Sequence, residues 1–171
     1  MAFSAADAEQ WIPRLRRYAI ALTGNREAAD DLIQDTLERA WRKRALWQPG
    51  SDLRAWLFTV MHNVHVNAVR AVRPIESLDE QALDAERALP SSASAESAIV
   101  LSELRVALTR LSEEHRQVIL LVGLEQMSYG ETAAVLEIPI GTVMSRLARG
   151  REQLRHLLAR EPQPAGLRRV K

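Results

Sequence analysis

The stretch SYGETAAVLEIPIGTVMSRLARGREQLR, residues 128–155, decides how this chain is read. It holds two apolar periodicities separated by a short break. Ala133, Ala134 and Leu136 recur at helical spacing, and after Pro139 the residues Val143, Leu147, Gly150 and Leu154 share one side of a second helix. Ser128 with Glu131 is a capping-box pattern that starts the first helix, and Pro139 suits the first turn of the second. Two helices joined by a short turn, the second rich in arginine, predict a helix-turn-helix over residues 129–136 and 139–158. On its second helix Thr142, Ser145, Arg146 and Arg149 lie together on one polar flank, with Arg151 and Arg155 on the other. Such a helix can enter a major groove with its N-terminal half while flanking arginines hold phosphates. A solvated basic helix of an ordinary bundle has the same pattern, so the motif alone leaves both readings open.

Upstream, Leu101, Leu104, Leu108 and Leu111 form one helix, and Ser112 caps another carrying Val118, Ile119 and Leu121 that Gly123 is expected to end. This makes four helices in the second half. Near the start, Leu15, Tyr18, Ala19 and Leu22 recur after Pro13; Gly24 ends that helix and Asn25 caps the next. Across residues 26–44, Ala29, Ile33, Leu37, Ala40 and Trp41 make an apolar stripe with Asp31, Asp35, Glu38 and Arg42 turned away. Past Gln48-Pro49-Gly50 a helix from about Ser51 to Arg73 buries Leu53, Trp56, Leu57, Val60, Val64 and Ala68. No stretch alternates with period two long enough to argue a strand. The fold class is all-α, with three or four helices in the first module.

The net charge of +1 conceals a block pattern. Residues 1–73 hold 11 basic and 8 acidic side chains, residues 74–100 hold 1 and 6, and residues 101–171 hold 11 and 8. Two basic modules on an acidic strap describe it best. The strap, PIESLDEQALDAERALPSSASAESAIV, has a linker's composition, with at most a transient helix over residues 79–89. The expected division is therefore 1–73, a linker 74–100, 101–160, and a basic disordered tail 161–171. The chain contains no cysteine, which excludes disulfides, thiolate metal sites and cysteine nucleophiles. No apolar run reaches the roughly 20 residues of a membrane span, and MAFSAADAEQ lacks a signal peptide's blocks. A soluble, cytoplasmic protein without membrane insertion is expected.

Read together, the modules carry a sharper signal. AADDLIQDTLERAWRK (residues 28–43) with LRAWLFTVMHN (53–63) resembles the region 2 domain of bacterial sigma factors. LTRLSEEHRQVILL (108–121) with residues 128–155 resembles their region 4 domain. Both motif sets, in this order on one short linker, resemble the extracytoplasmic-function (ECF) sigma factors, over about residues 11–158. The resemblance implies a protein that binds core RNA polymerase through its beta-prime and beta subunits, directs it to promoter DNA, helps open the duplex, and catalyses no covalent chemistry. No cofactor is implied.

By the same resemblance, Asp31, Leu32, Gln34, Asp35 and Glu38 meet a coiled coil of the beta-prime subunit, carboxylates beside an exposed leucine suiting a basic partner helix. The alternative for these carboxylates is i,i+4 pairing within their own helix, as in Asp35–Arg39 and Glu38–Arg42. The loop 45–52 and the helix after it would read the minus-ten element with Trp47, Arg54, Phe58, His62, Asn63 and Arg70. Helical geometry sets Phe58 and His62 one turn apart, opposite the buried stripe, where aromatic stacking on a base contributes roughly 1–3 kcal/mol. Trp56 and Trp41 are expected in the core. Thr142, Ser145, Arg146, Arg149 and Arg151 would read the minus-thirty-five element. The acidic linker would either thread into the polymerase near its active centre or serve as a plain tether. An anti-sigma factor clamping both domains is a further implied partner. Departures from the family pattern are Glu137 where the turn often has glycine, Met144 where a basic residue is common, and Asn67 where aspartate is frequent.

Other chemistries fare worse. Asp30, Asp31 and Asp35 give a DDxxxD spacing, but no second carboxylate cluster faces it. His62 and His65 stand at i,i+3 without a further His or Cys nearby. There is no Gly-rich phosphate loop. The competing reading is a stand-alone helix-turn-helix regulator binding operators as a dimer. It explains the second module and leaves the first without a role.

Overall fold

The computed structural model describes residues 3–72 and 95–159, and every regular element in them is helical. The first is a short helix that the apolar spacing does not announce, α1 (Ala5–Glu9). A capping box forms it: the Ser4 side chain accepts from the Asp7 N–H while the Asp7 carboxylate accepts from the Ser4 N–H at 2.8 Å. This cap seats Phe3, buried, edge-on against Trp47 and Trp56 with ring centroids 5.9 and 5.4 Å apart. Helix α2 (Ile12–Thr23) has proline in its first turn and stops at Gly24, whose φ of 70° is the left-handed stop expected of glycine. Its buried residues are Leu15, Tyr18, Ala19 and Leu22, the four that the spacing picks out.

Asn25 caps α3 (Arg26–Arg42), which buries Ala29, Leu32, Ile33, Thr36 and Ala40. Two expectations fail here. Trp41 is 47% exposed, with the Arg44 guanidinium 4.5 Å above its ring. The inner line runs instead through Thr36, whose hydroxyl donates to the Leu32 carbonyl at 2.6 Å and so enters the core satisfied. Leu32, expected beside the carboxylates on the surface, lies on this inner line and is buried. After a 3-10 turn (Arg44–Leu46), Asp52 accepts from the N–H groups of Arg54 and Ala55 and starts α4 (Leu53–Val72).

The second module contains α5 (Ala95–Thr109), α6 (Glu113–Ile119), α7 (Tyr129–Leu136) and α8 (Ile140–Ala159). Helix α5 begins six residues inside the stretch whose composition reads as linker. The rest of that stretch, with the helix expected at 79–89, and the tail 161–171 lie outside the described residues. Ser112 and Ser128 cap α6 and α7, the latter with its full capping box, as their spacing predicts. Gly123 does not end α6. The chain continues through a π-helical turn, Leu120–Leu124, in which the Glu125 N–H reaches back to the Leu120 carbonyl. At Gly150 α8 lies close against α6: a Cβ there would stand 2.9 Å from Ile119 and 3.1 Å from His115.

The modules do not fold around separate interiors. Leu15, Leu22, Leu57, Phe58 and Met61 of the first and Leu111, Val118, Leu121, Val135 and Val143 of the second belong to one connected core. Helix α4 packs on α7, and α2 packs on α5 and the π turn. Gly24 makes this approach possible, since a Cβ on it would meet the Thr109 methyl at 2.6 Å.

At the turn between α7 and α8, Glu137 adopts φ 54°, a left-handed conformation that a Cβ disfavours by roughly 1–2 kcal/mol. Replacing Glu137 by Gly should therefore raise the unfolding free energy by about 0.5–1 kcal/mol, read from denaturant midpoints at unchanged slope.

Candidate nucleic-acid interface

Helix α8 is held down by Val143, Leu147 and Gly150, which fixes the outward direction of its other side chains. Ser145, Arg149 and Arg151 are exposed and Thr142 is half-buried. Arg146 differs: its guanidinium stands 3.0 Å from the Glu114 carboxylate of α6 and is largely covered. It braces the recognition helix as much as it faces outward. Ile140 and Met144 are exposed beside this row; Met144 is the departure from the family's basic residue noted above, and Ile140 has no polar pattern to single it out. Exposed apolar groups there suit contact with a thymine methyl.

The face assigned to α4 and the preceding loop is less open than its spacing suggests. Phe58 is 1% exposed and packs edge-on against Tyr18, centroids 5.2 Å apart, so it is a core residue and offers no ring to an unstacked base. Tyr18 of α2 covers its side of α4, an arrangement that periodicity within one helix cannot reveal. Trp47 is half-buried on Phe3, its indole N–H without a partner, and Trp56 packs on the same ring. Asn63 is half-buried and Arg70 exposed. Arg54 is 16% exposed, because its guanidinium donates to the Glu131 carboxylate at 3.1 Å and to the Glu125 carbonyl at 3.5 Å. The Ser128 hydroxyl and N–H hold the Glu131 carboxyl below the usual range, with Arg54 adding to this.

His62 is half-buried, and its Nδ1 has no hydrogen-bond partner. Its neighbour His65 lies 2.9 Å from Glu113 of α6. Burial lowers the pKa of His62, and the nearby His65 adds to this. Burial likewise lowers that of His65, outweighing the opposing pull of Glu113.

On the far side of the first module α3 presents Asp31, Gln34, Asp35 and Glu38, all exposed. Arg16, Asp30, Ile33, Gln34, Leu37 and Glu38 line a shallow groove beside them. Leu37 is half-buried and supplies there the apolar contact that Leu32 does not. Glu38 also pairs with Arg42 along the helix, and Arg16 lies 3.6 Å from Asp30. Among the described residues no group of three or more His, Asp or Glu is gathered as a metal site.

An all-helical chain ending in a helix-turn-helix, with an acidic helix exposed on its other module, has the parts of a bacterial sigma factor. Residues 9–62 match the family model described as the Sigma2 domain of PhyR, and residues 101–154 match Sigma-70, region 4. The chain is 37% identical over 148 residues to the ECF RNA polymerase sigma factor EcfG of Rhodopseudomonas palustris, covering 86% of this chain and 80% of that one. It is 36% identical over 138 residues to the ECF RNA polymerase sigma factor SigL of Mycobacterium tuberculosis, with 78% and 76% covered. The solved sigma factor RpoE from Bartonella quintana, in complex with the anti-sigma factor NepR, superposes with a TM-score of 0.76 at 32% identity over 92% of this chain and 97% of that one. CnrH in complex with the cytosolic domain of CnrY gives a TM-score of 0.63 at 25% identity, with 90% and 88% covered. The chain belongs to the ECF sigma factors, which are DNA-binding transcription regulators rather than enzymes. A region 2 match over the first module removes the reason for reading the protein as a stand-alone operator-binding regulator.

Both histidines favour their neutral form in the folded chain, so below the ordinary imidazole pKa of 6.5 the unfolded chain binds more protons. Stability should accordingly fall as pH is lowered from 7.5 to 5.5. Urea unfolding at both pH values checks this, and His62→Gln should flatten the dependence.

Proposed function

We propose that this sigma factor binds core RNA polymerase through the exposed carboxylate face of α3, reads the minus-thirty-five element with α8, and reads and melts the minus-ten element with the loop 45–52 and α4. The observation that carries the reading is the composition of the two exposed faces. Asp31, Gln34, Asp35 and Glu38 offer charge and a shallow apolar groove to a basic helix, as a coiled coil of the beta-prime subunit would present. Ser145, Arg149 and Arg151, with Thr142 and Met144 beside them, offer the donors and apolar groups that major-groove readout needs. Arg146 serves the same surface once its bond to Glu114 is exchanged for a phosphate.

On the minus-ten side Arg54, His62, Asn63, Arg70 and Trp47 remain the assigned groups, and Phe58 is withdrawn from them. The domain functions follow: residues 1–73 for polymerase and the minus-ten element, 101–160 for the minus-thirty-five element, with α5 extending that module back to Ala95. An anti-sigma factor as regulatory partner is supported by the relatives solved in such complexes. No described helix is long and apolar enough to cross a membrane, in keeping with work in the cytoplasm beside the polymerase.

The test is transcription by bacterial core polymerase on fragmented host DNA, with and without the protein. Discrete starts sharing a two-part upstream motif are expected; their absence would remove the promoter-directing reading. Arg149→Ala should lower initiation at those starts about 5- to 150-fold, the range of one lost base or phosphate contact of roughly 1–3 kcal/mol. Asp35→Lys should instead weaken capture of core polymerase and leave the fold unchanged, measured by pull-down and circular dichroism.

A further inference from the structure

Helix α8 carries an exposed feature that a basic recognition helix does not require. Ile140 and Met144 leave 52% and 53% of their surface open, and Ala148 is exposed as well. The three stand at i, i+4 and i+8, so they form one apolar ridge about 12 Å long at 1.5 Å per residue. The ridge cannot turn inward. Val143, Leu147 and Gly150 are buried and fix the rotation of the helix, with a Cβ at Gly150 standing only 2.9 Å from Ile119. The first turn is fixed too, because the N–H groups of Thr142 and Val143 both donate to the Pro139 carbonyl, at 2.9 and 3.2 Å.

The neighbours of the ridge indicate what meets it. Arg151 and Arg155 follow on the same flank farther along the helix, and Ser145 and Arg149 lie on the next, all four exposed. An apolar strip between guanidinium groups suits a polyanion with apolar groups set between its phosphates, and the major groove of a duplex is such a surface. Met144 lies in the second turn of α8, within the N-terminal part of a recognition helix that contacts base edges. Its thioether is long and adaptable enough to reach a base, but offers at most a weak acceptor. Set against guanine O6 and N7, or the amino group of adenine or cytosine, it would displace water and return no hydrogen bond. The C5-methyl of thymine is the apolar group that the major groove offers.

We propose that Met144, flanked by Ile140 and Ala148, is a specificity-determining residue that reads the methyl group of a thymine in the minus-thirty-five element. The inference rests on the reading of α8 as the helix that enters that element. A basic side chain at this position would hold a phosphate, a contact that carries no sequence information. Methionine here exchanges that grip for discrimination at one base pair.

The test uses promoter duplexes taken from the transcription starts that the protein gives with core polymerase. Each thymine of the minus-thirty-five element, on either strand, is replaced in turn by deoxyuridine, which lacks only the methyl group. Wild-type protein with core polymerase should bind one of these duplexes about four-fold less tightly, the factor contributed by one buried carbon group. Met144→Ala should bind the thymine and deoxyuridine forms of that duplex equally. Met144→Lys should also lose the methyl sensitivity, and its log–log salt dependence should steepen by about 0.9, the slope of one added phosphate contact. Equal wild-type binding to every deoxyuridine duplex would overturn the proposal, as would a minus-thirty-five element without thymine on either strand. Undiminished methyl sensitivity in Met144→Ala would overturn it as well. Absent methyl sensitivity together with weaker capture of core polymerase by Met144→Ala would make the ridge a protein contact instead. The deoxyuridine series needs no variant, so it decides the matter even if a substituted protein misfolds. Failure of the underlying sigma-factor reading is seen separately, as wild-type protein that gives no promoter-specific starts.

Discussion

The Arg116 guanidinium is the constraint on which the rest of the arrangement depends. It donates to the carbonyls of Leu108 at 2.8 Å, Thr109 at 2.7 Å and Leu111 at 3.0 Å, and across the module boundary to Leu22 at 2.6 Å. These are acceptors at the ends of α5 and α2, groups that a helix terminus leaves without intrahelical donors. A single side chain on α6 thus caps the ends of two helices from different modules at one point. It is half-buried, and burial lowers its pKa, so the bonds it makes are those of a charge held in place by carbonyl dipoles. From this knot α2 and α5 diverge with Gly24 against Thr109, and the pairing of α4 with α7 follows.

The helices themselves were legible because their ends are written in short-range chemistry. Asn25, Ser112 and Ser128 are caps whose partners lie within three residues, and Gly24 is a stop that depends on its own φ. Where the deciding partner is distant, the reading fails. Leu32 and Trp41 exchange their expected places because Thr36 enters the core satisfied by a carbonyl of its own helix, which rotates the buried line of α3. Gly123 reads as a terminator, yet the chain passes through it in a π turn whose widened geometry has no compositional mark. The start of α5 was hidden for a different reason: residues 95–100 share the serine and alanine content of the strap before them.

The candidate surfaces divide along the same line. The carboxylates of α3 and the exposed row of α8 depend only on which way one helix faces, and their spacing placed them outward, Leu32 excepted. Phe58, Arg54 and His62 depend on neighbours distant in sequence: Phe58 is buried on Tyr18 of α2, and Arg54 and His62 meet the second module. A reading that treats the modules as independent bodies leaves their mutual face unoccupied, and aromatic and basic residues there look available for nucleic acid. Glu125 escaped notice for the complementary reason. A single glutamate between Leu124 and Gln126 has no pattern, and only the fold shows that it meets arginines over a hundred positions earlier.

The aromatic residues are distributed with a lopsidedness that has practical weight. All four tryptophans, Trp11, Trp41, Trp47 and Trp56, belong to the first module, and the second contains none. Trp47 and Trp56 grip Phe3 at its base, while Trp11 sits beneath Arg14, 5.8 Å from its guanidinium, at the rim of the contact with Glu125. Tryptophan emission from this protein is therefore a signal from one half of the molecule only, whereas helical circular dichroism weighs both halves. Melting curves followed by the two signals coincide only if the halves come apart as a single cooperative unit. The placement of four indole rings thus supplies, without any label, a way to tell whether two modules that share one core also share one unfolding transition.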